Sequence, residues 1–149
     1  MRTLAIDLGQ RRVGLALSDE GGRFATPLQV LEISAPQQAL DRVLAVVARE
    51  GVARIVLGLP LNMDETVGPA ARQVIRWGKD LEGRAGISVV YVDERLSSFA
   101  AEQSLADRKR GGEKLTRKRK KEQLDALAAA GFLQEFLDGK LVAITPPER

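Results

Sequence analysis

An α/β fold, a mixed five-stranded sheet flanked by helices, is what this 149-residue sequence predicts. Three observations carry it. The chain opens with two strand-like runs and a third behind a Gly-Gly turn, the pattern of antiparallel hairpins. Two short apolar runs, Val52–Gly58 and Ile87–Val92, each follow a segment of helical periodicity, the arrangement of crossover units that pair strands in parallel. The chain then reaches a long Ala-rich helical stretch from about Arg117 to Leu137.

Residues 2–8 (Arg-Thr-Leu-Ala-Ile-Asp-Leu) read as the first strand, ending at Gly9, and residues 12–18 (Arg-Val-Gly-Leu-Ala-Leu-Ser) as the second. Asp19-Glu20-Gly21-Gly22 is a hairpin turn. Residues 23–31 return as a third antiparallel strand, and Pro27, with no N–H for a ladder, places it at an edge or bulge. Ala35-Pro36 opens a helix to Glu50, with apolar residues at 40, 43, 44 and 47 and Gly51 as its stop. Val52 to Gly58 is a short buried strand, and 59–68 a loop rich in Pro, Asn, Asp and Gly. Pro69 suits the first turn of a helix to about Leu81, where the N–H it lacks would have no partner. Ile87–Val92 is the fifth strand. Ser97 or Ser98 can cap a helix to about Asp107, with Glu102 supporting its first turns, before Gly111-Gly112 and the final helix. The order βββαβαβαα is that of the ribonuclease H-like fold.

The length suits one domain, over 1–140, with 141–149 as a C-terminal tail, and a chain of this size buries about 68–70% of its unfolded surface. With no cysteine, disulfides, zinc–thiolate sites, iron–sulfur clusters and cysteine nucleophiles are excluded. With no histidine, imidazole is excluded both as general base and as metal ligand. Chemistry must come from carboxylates, hydroxyls, Lys, Arg or an oxygen-held metal. Met1-Arg2 leads straight into a strand, so no leader is expected, and no apolar run approaches the roughly 18 residues of a membrane span. The expectation is a soluble cytoplasmic protein with no membrane partner.

Three acids mark the ends or interiors of apolar elements. Asp7 closes Leu4-Ala5-Ile6, Glu94 follows Val89-Val90-Tyr91-Val92-Asp93, and Asp125 lies within Leu124-Asp125-Ala126-Leu127. Carboxylates beside apolar elements are costly unless paired, solvated or metal-bound. On elements that can share a sheet, the three suggest a site for Mg²⁺ or Mn²⁺, which prefer hard oxygen ligands, and two such ions can clamp the oxygens of phosphoryl transfer. Ala128 and Ala129 share the face of Asp125 and would let that helix approach the sheet closely. Three unrelated surface acids are the competing reading. Asp93 and Glu94 point to opposite faces of a strand, and spacing does not choose between them.

Longer blocks carry a resemblance. Ala5-Ile6-Asp7-Leu8-Gly9 with Arg12-Val13-Gly14-Leu15-Ala16-Leu17-Ser18-Asp19 is similar to the opening of the YqgF/RuvX family. So are Gly58-Leu59-Pro60-Leu61-Asn62-Met63-Asp64 with Gly68-Pro69, Val92-Asp93-Glu94-Arg95-Leu96-Ser97-Ser98, and Asp125-Ala126-Leu127-Ala128-Ala129 with Leu133-Gln134 and Phe136-Leu137. The resemblance spans nearly the whole chain in order. It implies a ribonuclease H-like fold related to Holliday-junction resolvases and a metal-dependent nuclease that matures the 5′ end of pre-16S ribosomal RNA. It also implies Asp7, Glu94 and Asp125 as catalytic, metal-holding acids, with Asp7 between two ions and the others holding one each. After Met63-Asp64 the family commonly has Gly, where this chain has Glu65.

Residues 108–121 hold nine of the 23 basic residues and one of the 20 acids, a net +8 that leaves −5 on the rest. Such a segment is expected to contact phosphates of a nucleic acid, through Lys109, Arg110, Lys114, Arg117, Lys118, Arg119, Lys120 and Lys121, only four residues before Asp125 at the closest. A solvated charge run is the plain alternative. One Trp, one Tyr and four Phe supply no stacking platform, so structured RNA or a four-way DNA junction would be read by shape. Arg12 and Arg95, with Arg11, flank two of the acids and can steady phosphate or the carboxylates themselves. Asn62, Asp64 and Thr66 can face substrate, or can simply form a turn and a helix cap. Trp77 sits at helical spacing as a packing residue. A junction resolvase, making two symmetric cuts, would be a homodimer; an RNA-processing enzyme has no such need. A non-catalytic RNA-binding ribosome-assembly factor and an actin-like ATPase are the readings from other classes. The ATPase is disfavoured because one such domain cannot close around a nucleotide.

Overall fold

The computed structural model describes residues 1–94 and 117–146, with 117–124 described by their helical backbone alone. Its elements are β1 (Thr3–Leu8), β2 (Arg12–Ser18), β3 (Ala25–Glu32), α1 (Pro36–Glu50), β4 (Arg54–Leu59), α2 (Pro69–Ala85), β5 (Val89–Asp93) and α3 (Arg117–Leu137). The helix expected near 97–107, and the residues Arg95, Lys109, Arg110 and Lys114, lie outside the described residues.

The five strands form one sheet in the order β3-β2-β1-β4-β5. β1–β2 and β2–β3 are antiparallel, while β1–β4 and β4–β5 are parallel. This is the mixed sheet the hairpins and crossovers predict. Pro27 sits on the edge strand β3 opposite Ala16, where the register shifts after Leu15, the place for a residue without an N–H to pair.

Strand alternation sorts the side chains into two layers. Leu4, Ile6, Val13, Leu15 and Leu57 pack with Val43, Val47, Ile75 and Leu81 under α1 and α2. On the opposite face Ala5, Ala16, Val56 and Val92 meet Ala129, Ala130, Phe132 and Leu133 of α3. Large residues fill the two-helix side, whereas small ones on β1 and β2 let the single helix come near. Trp77 is a packing residue as expected, 6% exposed, its indole N–H donating to the Pro36 carbonyl at 2.9 Å.

Several boundaries differ from the sequence pattern, each for a local reason. β3 starts at Ala25 because the Asp19 carboxylate accepts the N–H groups of Arg23 and Phe24, at 2.8 and 3.0 Å, and keeps them in the turn. β4 starts at Arg54 because the Val52 N–H still donates to Val47 behind the left-handed Gly51. α2 continues past Leu81, where its apolar stripe ends, to the left-handed Gly86. Beyond residue 140, Leu141 is buried and the Ile144 N–H donates to Tyr91 at 2.7 Å, covering part of the β5 edge. No helix among the described residues is long and apolar enough to cross a membrane.

Candidate active site

Asp7 shares the α3 face of β1 with Ala5, by strand alternation. Its cross-strand neighbour is Gly14. At that point α3 reaches the sheet: a Cβ on Gly14 would stand 2.2 Å from the Asp125 carbonyl oxygen and 3.1 Å from the Ala126 nitrogen. Only glycine lets the helix backbone settle there. Four residues on, Ala129 is fully buried against the sheet, and Ala128 is half-buried at the side of the contact. Of the two small side chains singled out in the sequence, Ala129 packs into this contact, and with Gly14 it lets the helix come low enough for Asp125 to stand near Asp7.

Glu94 comes from the other side. β4 separates β5 from β1, a distance of about 9–10 Å at ordinary strand spacing. Gly58 of β4 lies in between. A Cβ on Gly58 would sit 2.7 Å from Glu94 Oε2 and 3.1 Å from Glu94 Cβ. The glutamate therefore crosses bare backbone and hydrogen-bonds to Asp7.

The electrostatics follow from this contact. Burial raises the Glu94 carboxyl, the Asp7 charge and hydrogen bond raise it further, and it is pushed up to about 9. Burial also raises Asp7, although the bond from Glu94 lowers it, and the Asp125 charge raises it again. The protonated form of Glu94 is favoured, and its O–H donates a hydrogen bond to the Asp7 carboxylate. Asp125 is held differently: Arg12 Nε donates to its Oδ2 at 2.8 Å. A cavity of about 120 Å³ lined by Asp7, Gly9, Gln10, Arg11, Arg12 and Asp125 opens beside these groups.

The structure thus brings Asp7 against Glu94 and places Asp125 near Asp7, with Arg12 on Asp125. Among the described residues no three acidic side chains stand close enough to enclose one ion, and the Asp125 carboxylate is paired with Arg12 instead. Asp93, the alternative to Glu94, is 5% exposed and belongs by alternation to the Tyr91 face, away from Asp7. Asn62, Asp64 and Thr66 bond to one another: Asn62 Nδ2 donates to Thr66 Oγ1 at 3.0 Å, and the Thr66 N–H to Asp64 Oδ1 at 3.1 Å. Thr66 is not a helix cap, because the residue before the first turn of α2 is Gly68. Glu65, in the same turn, has φ +68°, the left-handed region that favours glycine. Arg11 is exposed. For Arg117, Lys118, Arg119, Lys120 and Lys121 the described fact is their position in the first turns of α3, upstream of Asp125.

Sequence reasoning missed Gly14 and Gly58 as parts of the site. The available signal was an isolated glycine inside a strand pattern, which marks close approach of another group.

A family model described as RuvX, Holliday junction resolvase, matches residues 1–139. The chain is 40% identical over 137 residues to a Chloroflexus aurantiacus protein named "Putative pre-16S rRNA nuclease", covering 92% of this chain and 86% of that one. It is 39% identical over 140 residues to a protein of the same name from Listeria innocua, covering 93% and 98%. Among solved structures, Thermus thermophilus RuvC matches 97% of this chain and 100% of its own, with TM-score 0.60 and 20% identity. Fowlpox virus resolvase, solved with its substrate Holliday junction DNA, matches 93% and 98% at TM-score 0.54 and 12% identity. These two likenesses establish a common fold. With the family model spanning the whole site and relatives near 40% identity, the chain belongs to the RuvX Holliday junction resolvase family.

Proposed function

We propose that this protein is a metal-dependent nuclease that matures the 5′ end of pre-16S ribosomal RNA in the cytoplasm, with Asp7, Glu94 and Asp125 as its catalytic acids. The chain is a hydrolase of phosphodiester bonds by its family and its relatives. The observation that supports the rest is the Asp7–Glu94 pair: two half-buried carboxyls pressed together at the carboxyl ends of parallel strands, with a third acid beside them.

The donor set fits a hard divalent cation. Every candidate ligand is a carboxylate oxygen, and a dication would offset both the burial that raises Glu94 and the repulsion from Asp7 that adds to it. Asp7 and Glu94 would hold Mg²⁺ or Mn²⁺, and Asp125 would join them if Arg12 released it; two ions is the expected number. Bound there, the metal supplies charge stabilisation and a nucleophile for phosphodiester hydrolysis. The protein's own groups have separate tasks. Glu94 must give up its proton as the cation enters. Arg12, freed from Asp125, can move to a phosphate oxygen without leaving the 120 Å³ cavity that both residues line. The basic first turns of α3 and the preceding basic segment would hold the backbone of a structured RNA, and Asn62, Asp64 and Thr66 form a firm loop after β4 that can border it.

The test is side-by-side cleavage of structured pre-16S RNA and of a four-way DNA junction by one preparation with Mg²⁺ or Mn²⁺, using wild type and Asp7→Asn. Expected is RNA cleavage that Asp7→Asn abolishes. Preferential symmetric cutting of the junction by a homodimer would favour a resolvase instead. If Asp7→Asn cleaves as fast as wild type, the catalytic assignment is wrong. RNA binding with no cleavage at any metal concentration would indicate a non-catalytic assembly factor.

A further inference from the structure

A second cavity adjoins the acidic one. Its volume is about 90 Å³, and it shares Gly9 and Gln10 with the cavity that holds Asp7 and Asp125. Only the turn between β1 and β2 separates the two. That turn is tight: the Gly9 N–H donates to the Arg12 carbonyl at 2.9 Å, and a Cβ on Gly9 would stand 2.8 Å from the same oxygen. Gly9 is therefore bare, and no side chain at that position walls off one cavity from the other.

The chemistry of the two compartments differs. The first is lined by charged groups. The second is walled by Leu8, Pro36, Pro60 and Val74, with the amides of Gln10 and Gln73 as its long polar side chains. Apolar walls with a few polar groups are the general lining of a small-molecule site, and this recess, far smaller than a drug-sized pocket, has room for no more than a single flat ring system. Each glutamine amide offers two N–H donors and one carbonyl acceptor, the complement of a base edge read bidentately. A nucleotide whose phosphate lies at Asp7 carries its base on the adjacent sugar, and the recess shares Gly9 and Gln10 with the cavity at Asp7.

We propose that this recess takes one unstacked nucleobase of the substrate, next to the phosphate at Asp7, and that Gln10 and Gln73 read its edge. The inference rests on the nuclease reading above and adds to it. The basic segment offers recognition of shape alone, whereas a base recess selects where along a single-stranded end the phosphate is placed. Pro36 and Pro60 both line the recess, each with its backbone φ fixed by the ring.

The test measures binding rather than cleavage. Structured RNA with a single-stranded 5′ extension is titrated in Ca²⁺, along with a set carrying one abasic nucleotide at successive positions around the cut. For wild type, one position is expected to show a loss on the order of tenfold or more, the scale of a bidentate amide–base contact. Ala70→Leu, placed at the mouth of the recess on the exposed first turn of α2, is expected to erase that difference and leave the affinity for the abasic RNA unchanged. Gln73→Leu, which keeps the bulk and removes the amide, should lose selectivity among the four bases at that position. RNA that binds, with no abasic position weaker than the others, overturns the recess and leaves the nuclease reading intact. RNA that does not bind at all overturns both.

Discussion

Glu94 reaches Asp7 across Gly58, whose missing side chain is the space through which the glutamate passes: a Cβ there would stand 2.7 Å from Glu94 Oε2. Asp7 lies on β1 and Glu94 directly follows β5, two strands that are not neighbours, so their meeting depends on β4 between them having no side chain at this point.

Gly58→Ala should therefore damage the site more than the fold. The methyl group would push Glu94 off Asp7 and also crowd Phe132, whose ring carbon lies 3.3 Å from the same position. A stability loss of about 1–3 kcal/mol is expected from overpacking. Cleavage should fall on the order of a hundredfold, the usual penalty for displacing a reacting group by about an ångström. Urea denaturation and single-turnover cleavage, measured on the same preparation, separate the two. Unchanged cleavage would mean that Glu94 does not act from this position.

The Asp7–Glu94 pair makes the stability of the metal-free protein depend on pH. Folded Glu94 holds its proton up to about 9, against 4.5 for the ordinary carboxyl, so between those values the folded chain binds more protons than the unfolded one. The contribution is fully present below 4.5 and is lost as pH rises through about 9. In EDTA, the unfolding free energy from urea denaturation should decline from about pH 5 to 9, with a slope no steeper than about 1.4 kcal/mol per pH unit for one proton. Glu94→Gln should flatten that decline, and Mg²⁺, which favours the ionised carboxyls, should oppose it. A decline of equal slope in Glu94→Gln would place its origin elsewhere.

Arg12→Ala tests what the pairing with Asp125 does. Both side chains are about 30% exposed, at 31% and 29%, and an ion pair of that kind contributes roughly 0–1 kcal/mol. The melting temperature should barely move. With the guanidinium gone, Asp125 is free for a cation, so Mn²⁺ should bind more tightly by calorimetry. Cleavage should nevertheless drop about tenfold or more, because a phosphate-facing cation is lost. Weaker Mn²⁺ binding in Arg12→Ala would mean that Arg12 orients Asp125 for the metal rather than competing with it.

Glu65 occupies a left-handed conformation, φ +68°, that costs a residue with a side chain about 1–2 kcal/mol and a glycine almost nothing. Glycine loses more chain entropy on folding, which offsets part of this. Glu65→Gly is expected to stabilise the protein by up to about 1 kcal/mol, read as a higher urea midpoint. The Asn62–Thr66 and Asp64–Thr66 bonds keep the loop in shape in either variant, so RNA cleavage should be unchanged.

Much of the architecture was legible because it rests on local rules. Pro36 and Pro69 in the first turns of their helices, Gly51 at a left-handed stop and Pro27 at a bulge in an edge strand all act within a few residues of themselves. The three acids stood out for the same reason, as carboxylates beside apolar runs. The choice between Asp93 and Glu94 was less accessible: alternation says that they face opposite ways, not which way Asp7 faces.

By itself, the sequence determined the elements among the described residues, the two-sided apolar patterning and a chemistry confined to oxygen ligands, because each follows from composition and short-range periodicity. Only the tertiary structure decided that Gly14 seats α3 beside Asp7, that Gly58 opens the path for Glu94, and that Arg12 rather than a third acid holds Asp125. The physical reason is that each of these joins residues far apart in the chain through a single close contact. A glycine shows its role only when the group that occupies its empty space is in view.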